Sequence, residues 1–98
     1  MIIDEMTEKL HKHNDYIRSS YHVTDIGLFG SCVTGNLKRR SDIDVLVSFE
    51  HGCKDFFNYM RLKMYLEELL GRKVDLVIKE ALKPRLRERI LSEVRYVQ

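Results

Sequence analysis

Two short apolar runs, "DIDVLVSF" at 42–49 and "KVDLVI" at 73–78, bracket a single stretch of helical period. Both runs are rich in Val and Ile and have strand length. The stretch between them, "KDFFNYMRLKMYLEELLG" at 54–71, puts Phe56, Tyr59, Met60, Leu62, Leu66, Leu69 and Leu70 on one broad face. Gly71 closes it where a C-cap glycine belongs. A strand–helix–strand connection of this length can cross over a sheet, so the two strands are expected side by side and parallel. "VTDIGLFG" at 23–30 adds a third strand. The expected fold class is α/β (α+β): a small mixed sheet of three or slightly more strands flanked by helices.

The ends of the chain fit that frame. Ile3, Met6, Leu10, His13 and Ile17 step by three and four, which predicts an N-terminal amphipathic helix. His13 lies on that stripe and is expected to pack at the core edge. The single proline, Pro84, suits the first turn of a last helix, "PRLRERILSEV", with Leu86, Ile90 and Val94 as its apolar stripe. There is no repeat and no linker. The 98 residues are expected to form one domain over 1–98.

Composition removes several function classes. Lys plus Arg number 17 and Asp plus Glu 15, a net charge of +2, so direct nucleic-acid binding by bulk electrostatics is not expected. Cys32 and Cys53 are 21 residues apart without a CxxC pattern, which suggests neither a zinc site nor a disulfide framework. "MIIDEMTEKL" has acids and no apolar core of a signal peptide. No apolar run approaches the roughly 20 residues of a membrane span. A cytoplasmic location and no membrane association are therefore expected.

The chemistry gathers on the strands. Asp42 and Asp44 alternate with Ile43, so on a strand they project together, with Cα atoms roughly 6.5–7 Å apart. Close carboxylates repel one another unless solvated, protonated or bridged by cations. Two divalent ions about 3.5–4 Å apart suit such a spacing. Asp75 interrupts the apolar run "KVDLVI". If the two strands are neighbours, it joins the other acids in a three-carboxylate cluster able to hold two Mg²⁺ ions. Upstream, "FGSCVTGN" ends a strand with Gly30 and Ser31. Glycine lets a backbone approach a ligand closely, free N–H groups bind phosphate oxygens, and Ser31 adds a hydroxyl.

In order, these pieces read strand, Gly-Ser, ten residues, DxD on a strand, helix, and a strand carrying Asp. "GSCVTGNLKRRSDID" followed by "VDLV" resembles the minimal nucleotidyltransferases of the DNA polymerase beta superfamily, and the resemblance covers nearly the whole chain. It implies a nucleotidyltransferase fold, with Asp42 and Asp44 binding Mg²⁺ and Asp75 as third catalytic and metal-binding carboxylate. It implies that Gly30 and Ser31 hold the triphosphate of ATP. It further implies a setting: an antitoxin that transfers AMP from ATP to a tyrosine of a HEPN-domain ribonuclease toxin, and that associates with this partner. Relatives commonly carry "GSRARG" where this chain has "GSCVTG", so Cys32 and Thr34 replace arginines. The basic "KRR" at 38–40 is the candidate substitute for their charge. The alternative reading is a weak or inactive member that neutralises a partner by binding alone.

Overall fold

A computed structural model describes residues 2–53 and 55–98; Lys54, at the start of the expected long helix, lies outside them. The sheet contains β1 (Val23–Phe29), β2 (Ile43–Phe49), β3 (Val74–Ile78) and β4 (Arg95–Tyr96), in the order β3-β2-β1-β4. β2 and β3 are parallel neighbours, as the crossover predicts. β1 runs antiparallel to both β2 and β4. The helices are α1 (Ile2–Lys12), α2 (Asn14–Tyr21), α3 (Ser31–Thr34), α4 (Phe56–Leu70) and α5 (Pro84–Glu93). None among the described residues is long and apolar enough to cross a membrane.

Alternation along β2 divides the core in two. Ile43, Val45 and Val47 pack with Leu10, Ile17, Leu62 and Leu66 on the face covered by α1, α2 and α4. Leu46, on the other face, packs with Phe29 and with Ile90 of α5. Fully burying such an aliphatic side chain is worth about 1.5–3 kcal/mol. On that second face Leu46 lies between two polar residues, Ser48, whose hydroxyl donates to Glu80 Oε2 at 2.8 Å, and Asp44 at the leading end of the strand. The acidic site occupies that end.

Several boundaries differ from the pattern in the sequence. The N-terminal stripe belongs to two helices that meet at His13, yet the hydrogen-bond ladder runs on through it, His13 N–H to Lys9 O at 3.3 Å and Ile17 N–H to His13 O at 2.9 Å. The buried register is Ile3, Met6, Leu10, Asn14, Ile17 and Tyr21, with His13 half-buried beside it. In α4, Phe56 is 71% exposed, and the buried row runs through Asn58, Leu62, Leu66 and Leu70. Asn58 fits because its amide donates to Tyr21 O at 2.7 Å and Cys53 O at 3.0 Å. Asp55 caps the helix by accepting the Asn58 N–H at 2.9 Å. α5 stops at Glu93, because Val94 is extended (φ −66°, ψ 137°) and leads into β4. Leu86, expected on its apolar stripe, is 40% exposed.

Candidate active site

The register of β2 and β3 decides the geometry. It sets Asp44 directly beside Asp75. Neighbouring strands lie about 4.8 Å apart, so two side chains on one face at matched positions must touch. Here the two carboxyl groups are close enough to share a proton. The Asp44 carboxyl is pushed up to about 6, first by burial, then by the charge of Asp75, the shared hydrogen bond and the charge of Asp42. The backbone N–H of Ser31 pulls the other way by donating to it.

Asp42 stands one residue ahead of β2 and is exposed. It acts on Asp44 by charge. Among the described residues, no three His, Cys, Asp or Glu side chains converge tightly enough to cage an ion as they stand. The structure therefore brings Asp44 and Asp75 into contact and leaves Asp42 on the open lip beside them.

The Gly-Ser turn is built against the same carboxyl. Gly30 has φ 71° and ψ −146°, a region closed to side-chain-bearing residues. A Cβ there would lie 2.1 Å from Asp44 Oδ2. Glycine is thus required twice, by the backbone and by the space the carboxyl fills. The Gly30 carbonyl accepts from Val33 N–H and Thr34 N–H, both at 3.0 Å, which winds α3. The Gly30 N–H itself donates to Glu93 Oε1 at 3.0 Å, a contact from the far end of the chain. Gly30, Ser31, Asp44 and Asp75 are in consequence one connected unit.

The departures in "GSCVTG" also have a place. Cys32 is buried in the larger core cluster, and burial pushes its thiol up. Thr34 is exposed. The "KRR" loop is stapled by Arg72, whose guanidinium donates to Lys38 O at 2.6 Å, Arg39 O at 2.9 Å and Ser41 O at 3.2 Å. Arg39, Arg40, Arg72 and Lys73 line an open cavity of about 460 Å³ that Asp42 borders. The loop's cations so collect at the Asp42 lip.

The donor set suits a hard divalent cation. Its atoms are carboxylate oxygens, and no cationic side chain appears among the groups that set the charge of Asp44. Mutual repulsion is what such an ion would relieve.

A mixed sheet with paired strand carboxylates beneath a Gly-Ser turn defines an enzyme of nucleotidyl transfer. The chain belongs to the nucleotidyltransferase domain family, whose model matches residues 10–97. It is 40% identical over 97 residues to the protein adenylyltransferase MntA of Thermococcus cleftensis, an alignment covering 99% of this chain and 97% of that one. A solved structure described, provisionally, as a minimal nucleotidyltransferase is 36% identical, with a TM-score of 0.74 over 91% of this chain and 93% of the other. A toxin–antitoxin crystal structure with AMP-PNP shares the fold, at 23% identity and a TM-score of 0.72, over 90% of this chain and 72% of that one. The nucleotidyltransferase fold expected from the motif is the observed one.

The sequence did not point to Glu93. It closes an ordinary amphipathic helix, and its role depends on β4, two residues long, which pairs with Gly27 and Leu28 of β1. The one signal was an acid just ahead of the β-prone residues Val94, Tyr96 and Val97.

Proposed function

We propose that the protein is a Mg²⁺-dependent adenylyltransferase that moves AMP from ATP to a tyrosine hydroxyl of a HEPN-domain ribonuclease toxin, and so acts as its antitoxin. The observation that carries this reading is the register pairing of Asp44 with Asp75 against the Gly30–Ser31 turn. The likeness to a protein adenylyltransferase over nearly the full length of both chains supports protein as acceptor. The tyrosine and the HEPN partner follow from the family resemblance.

Asp42, Asp44 and Asp75 would hold the metal ions, two of them in this reading. Bound there, they would neutralise charge on the attacking and leaving oxygens. The chain's own groups do the rest. The Gly30–Ser31 turn positions the triphosphate, with the Ser31 hydroxyl as donor. The acceptor oxygen attacks the α-phosphorus, a new P–O ester bond forms, the α–β anhydride bond breaks, and pyrophosphate leaves. Asp75, on β3, lies across β2 from the strand that leads into the Gly-Ser turn. In-line displacement needs the attacking and leaving oxygens on opposite sides, and this separation supports Asp75 as the carboxylate that receives the acceptor's proton.

The test is incubation with α-labelled ATP, Mg²⁺ and the protein encoded beside this one. Label should pass to that protein from wild type and not from the Asp42→Asn plus Asp44→Asn variant. Equal labelling by both sinks the reading. A second reading, neutralisation by binding alone, is favoured by the replacement of two arginines by Cys32 and Thr34. Under it the double variant still protects cells from the partner and wild type transfers no label.

A further inference from the structure

Glu93 Oε1 accepts the Gly30 N–H at 3.0 Å although Glu93 is none of the acids of the motif. We infer that Glu93 is a positioning residue for nucleotide binding: its carboxylate holds the Gly30 peptide and thereby aims the Ser31 N–H and hydroxyl. This rests on the reading of the Gly30–Ser31 turn as the triphosphate site.

Three observations carry it. First, Gly30 sits in backbone geometry open to glycine and not to side-chain-bearing residues, φ 71° and ψ −146°, and glycine's freedom elsewhere leaves that geometry to be selected by its contacts. Its N–H is fixed by Glu93 Oε1 at 3.0 Å, and the next N–H, that of Ser31, faces the Asp44 carboxyl. Two different carboxylates thus flank the peptide between these amides, and Glu93 is the one bonded to it. Second, Glu93 is delivered by a corner with little freedom. Val94 N–H donates to Ile90 O at 3.0 Å and Val97 N–H to Ile26 O at 2.8 Å. The corner passes so close over β1 that a Cβ on Gly27 would meet Arg95 O at 2.8 Å and Val94 Cγ2 at 2.9 Å. Third, Ile90 and Val94 pack with Phe29, the residue just before Gly30. The helix end that carries Glu93 and the strand end that carries Gly30 are packed against one another.

An acceptor for an N–H is what the geometry asks of Glu93; its charge is incidental. Glutamine presents a carbonyl oxygen at the same reach, and alanine presents nothing. The variants Glu93→Gln and Glu93→Ala therefore separate positioning from two rivals. In one rival Glu93 is a purely structural brace. In the other it blocks the phosphate site as an internal competitor.

The experiment measures Kd for a non-hydrolysable ATP analogue with Mg²⁺, by calorimetry at a temperature where all three proteins are folded. Gly30 amide hydrogen exchange is followed by NMR without nucleotide. Positioning predicts that Glu93→Ala binds the analogue about tenfold or more weakly and that its Gly30 amide loses protection. Glu93→Gln should stay within about threefold of wild type on both readouts. Equal analogue binding by Glu93→Ala and wild type overturns the inference in favour of a brace. Tighter binding by both variants overturns it in favour of a competitor. A Gly30 amide that exchanges freely in wild type overturns it whatever the nucleotide does. If wild type binds no nucleotide, the reading of the turn fails and takes this inference with it.

Discussion

Replacing Gly30 by alanine tests the joint between the Gly-Ser turn and the carboxylates. Two costs arise, and they can be separated. The backbone cost comes from a side chain at φ 71°, ψ −146°, about 1–3 kcal/mol. The contact cost comes from a Cβ 2.1 Å from Asp44 Oδ2, where real Cβ contacts under 3.0 Å essentially never occur. Asp44 must therefore retreat by roughly 1 Å, a displacement that typically costs about 10²-fold in rate at a reacting centre. Gly35 is the control. It has φ 84° and ψ 7°, and nothing lies within 4 Å of its Cβ position. Gly35→Ala should cost only the left-handed backbone penalty, about 1–2 kcal/mol, or about 4–16 °C in Tm for a chain of this size. Both variants should lose stability in thermal unfolding, Gly30→Ala more than Gly35→Ala because it carries the contact cost as well. Only Gly30→Ala should lose about 10²-fold in AMP transfer, measured well below both melting temperatures. Equal transfer rates for the two variants would refute the claim that the turn is shaped around Asp44.

Asp44 also makes apo stability depend on pH. Its carboxyl is raised from 3.8 to about 6 in the folded state, so the folded protein binds the extra proton. The stability that Asp44 contributes is then full below about pH 4 and is lost as pH rises through about 6; Asp44→Asn should remove that part of the slope in thermal melts without divalent ions. Added Mg²⁺ at pH 7 should raise the Tm of wild type and leave Asp44→Asn unmoved, since ligand that binds only the folded state stabilises it. Arg72→Ala frees three loop carbonyls from their staple. It should raise amide exchange at 38–41 and leave the melting temperature within a few degrees, because the contacts are solvent-facing. Asn58→Ala should destabilise by about 1–3 kcal/mol in urea unfolding, since the buried carbonyl of Tyr21 and the half-buried one of Cys53 lose their donor.

What the sequence made legible was whatever a local pattern encodes. The β2–α4–β3 unit shows in two β-branched runs around one helix, and it alone implies that Asp44 and Asp75 are neighbours. Gly30 and Ser31 show because a glycine ends a strand before a serine. What escaped depends on contacts between distant segments. β4 is two residues held by backbone pairing to Gly27 and Leu28, so it leaves no periodicity. The division at His13 is silent because the hydrogen-bond ladder crosses it. Phe56 was misplaced because apolar spacing cannot show that Asn58, satisfied by two carbonyls, takes the buried row instead. Asp42 kept its place in the motif, yet the strand begins one residue later and leaves it exposed. The "KRR" loop reached the Asp42 lip because Arg72, more than 30 residues away, holds its carbonyls.

The central claim is that the carboxylates and the Gly-Ser turn form one metal–nucleotide site. A crystal structure with Mn²⁺ and a non-hydrolysable ATP analogue tests it most directly, because manganese is located by its anomalous signal. The account predicts manganese on Asp42, Asp44 and Asp75, with Asp42 turned inward, and the triphosphate on the Gly30–Ser31 turn. Manganese away from these carboxylates, or the analogue bound elsewhere on the chain, would contradict it.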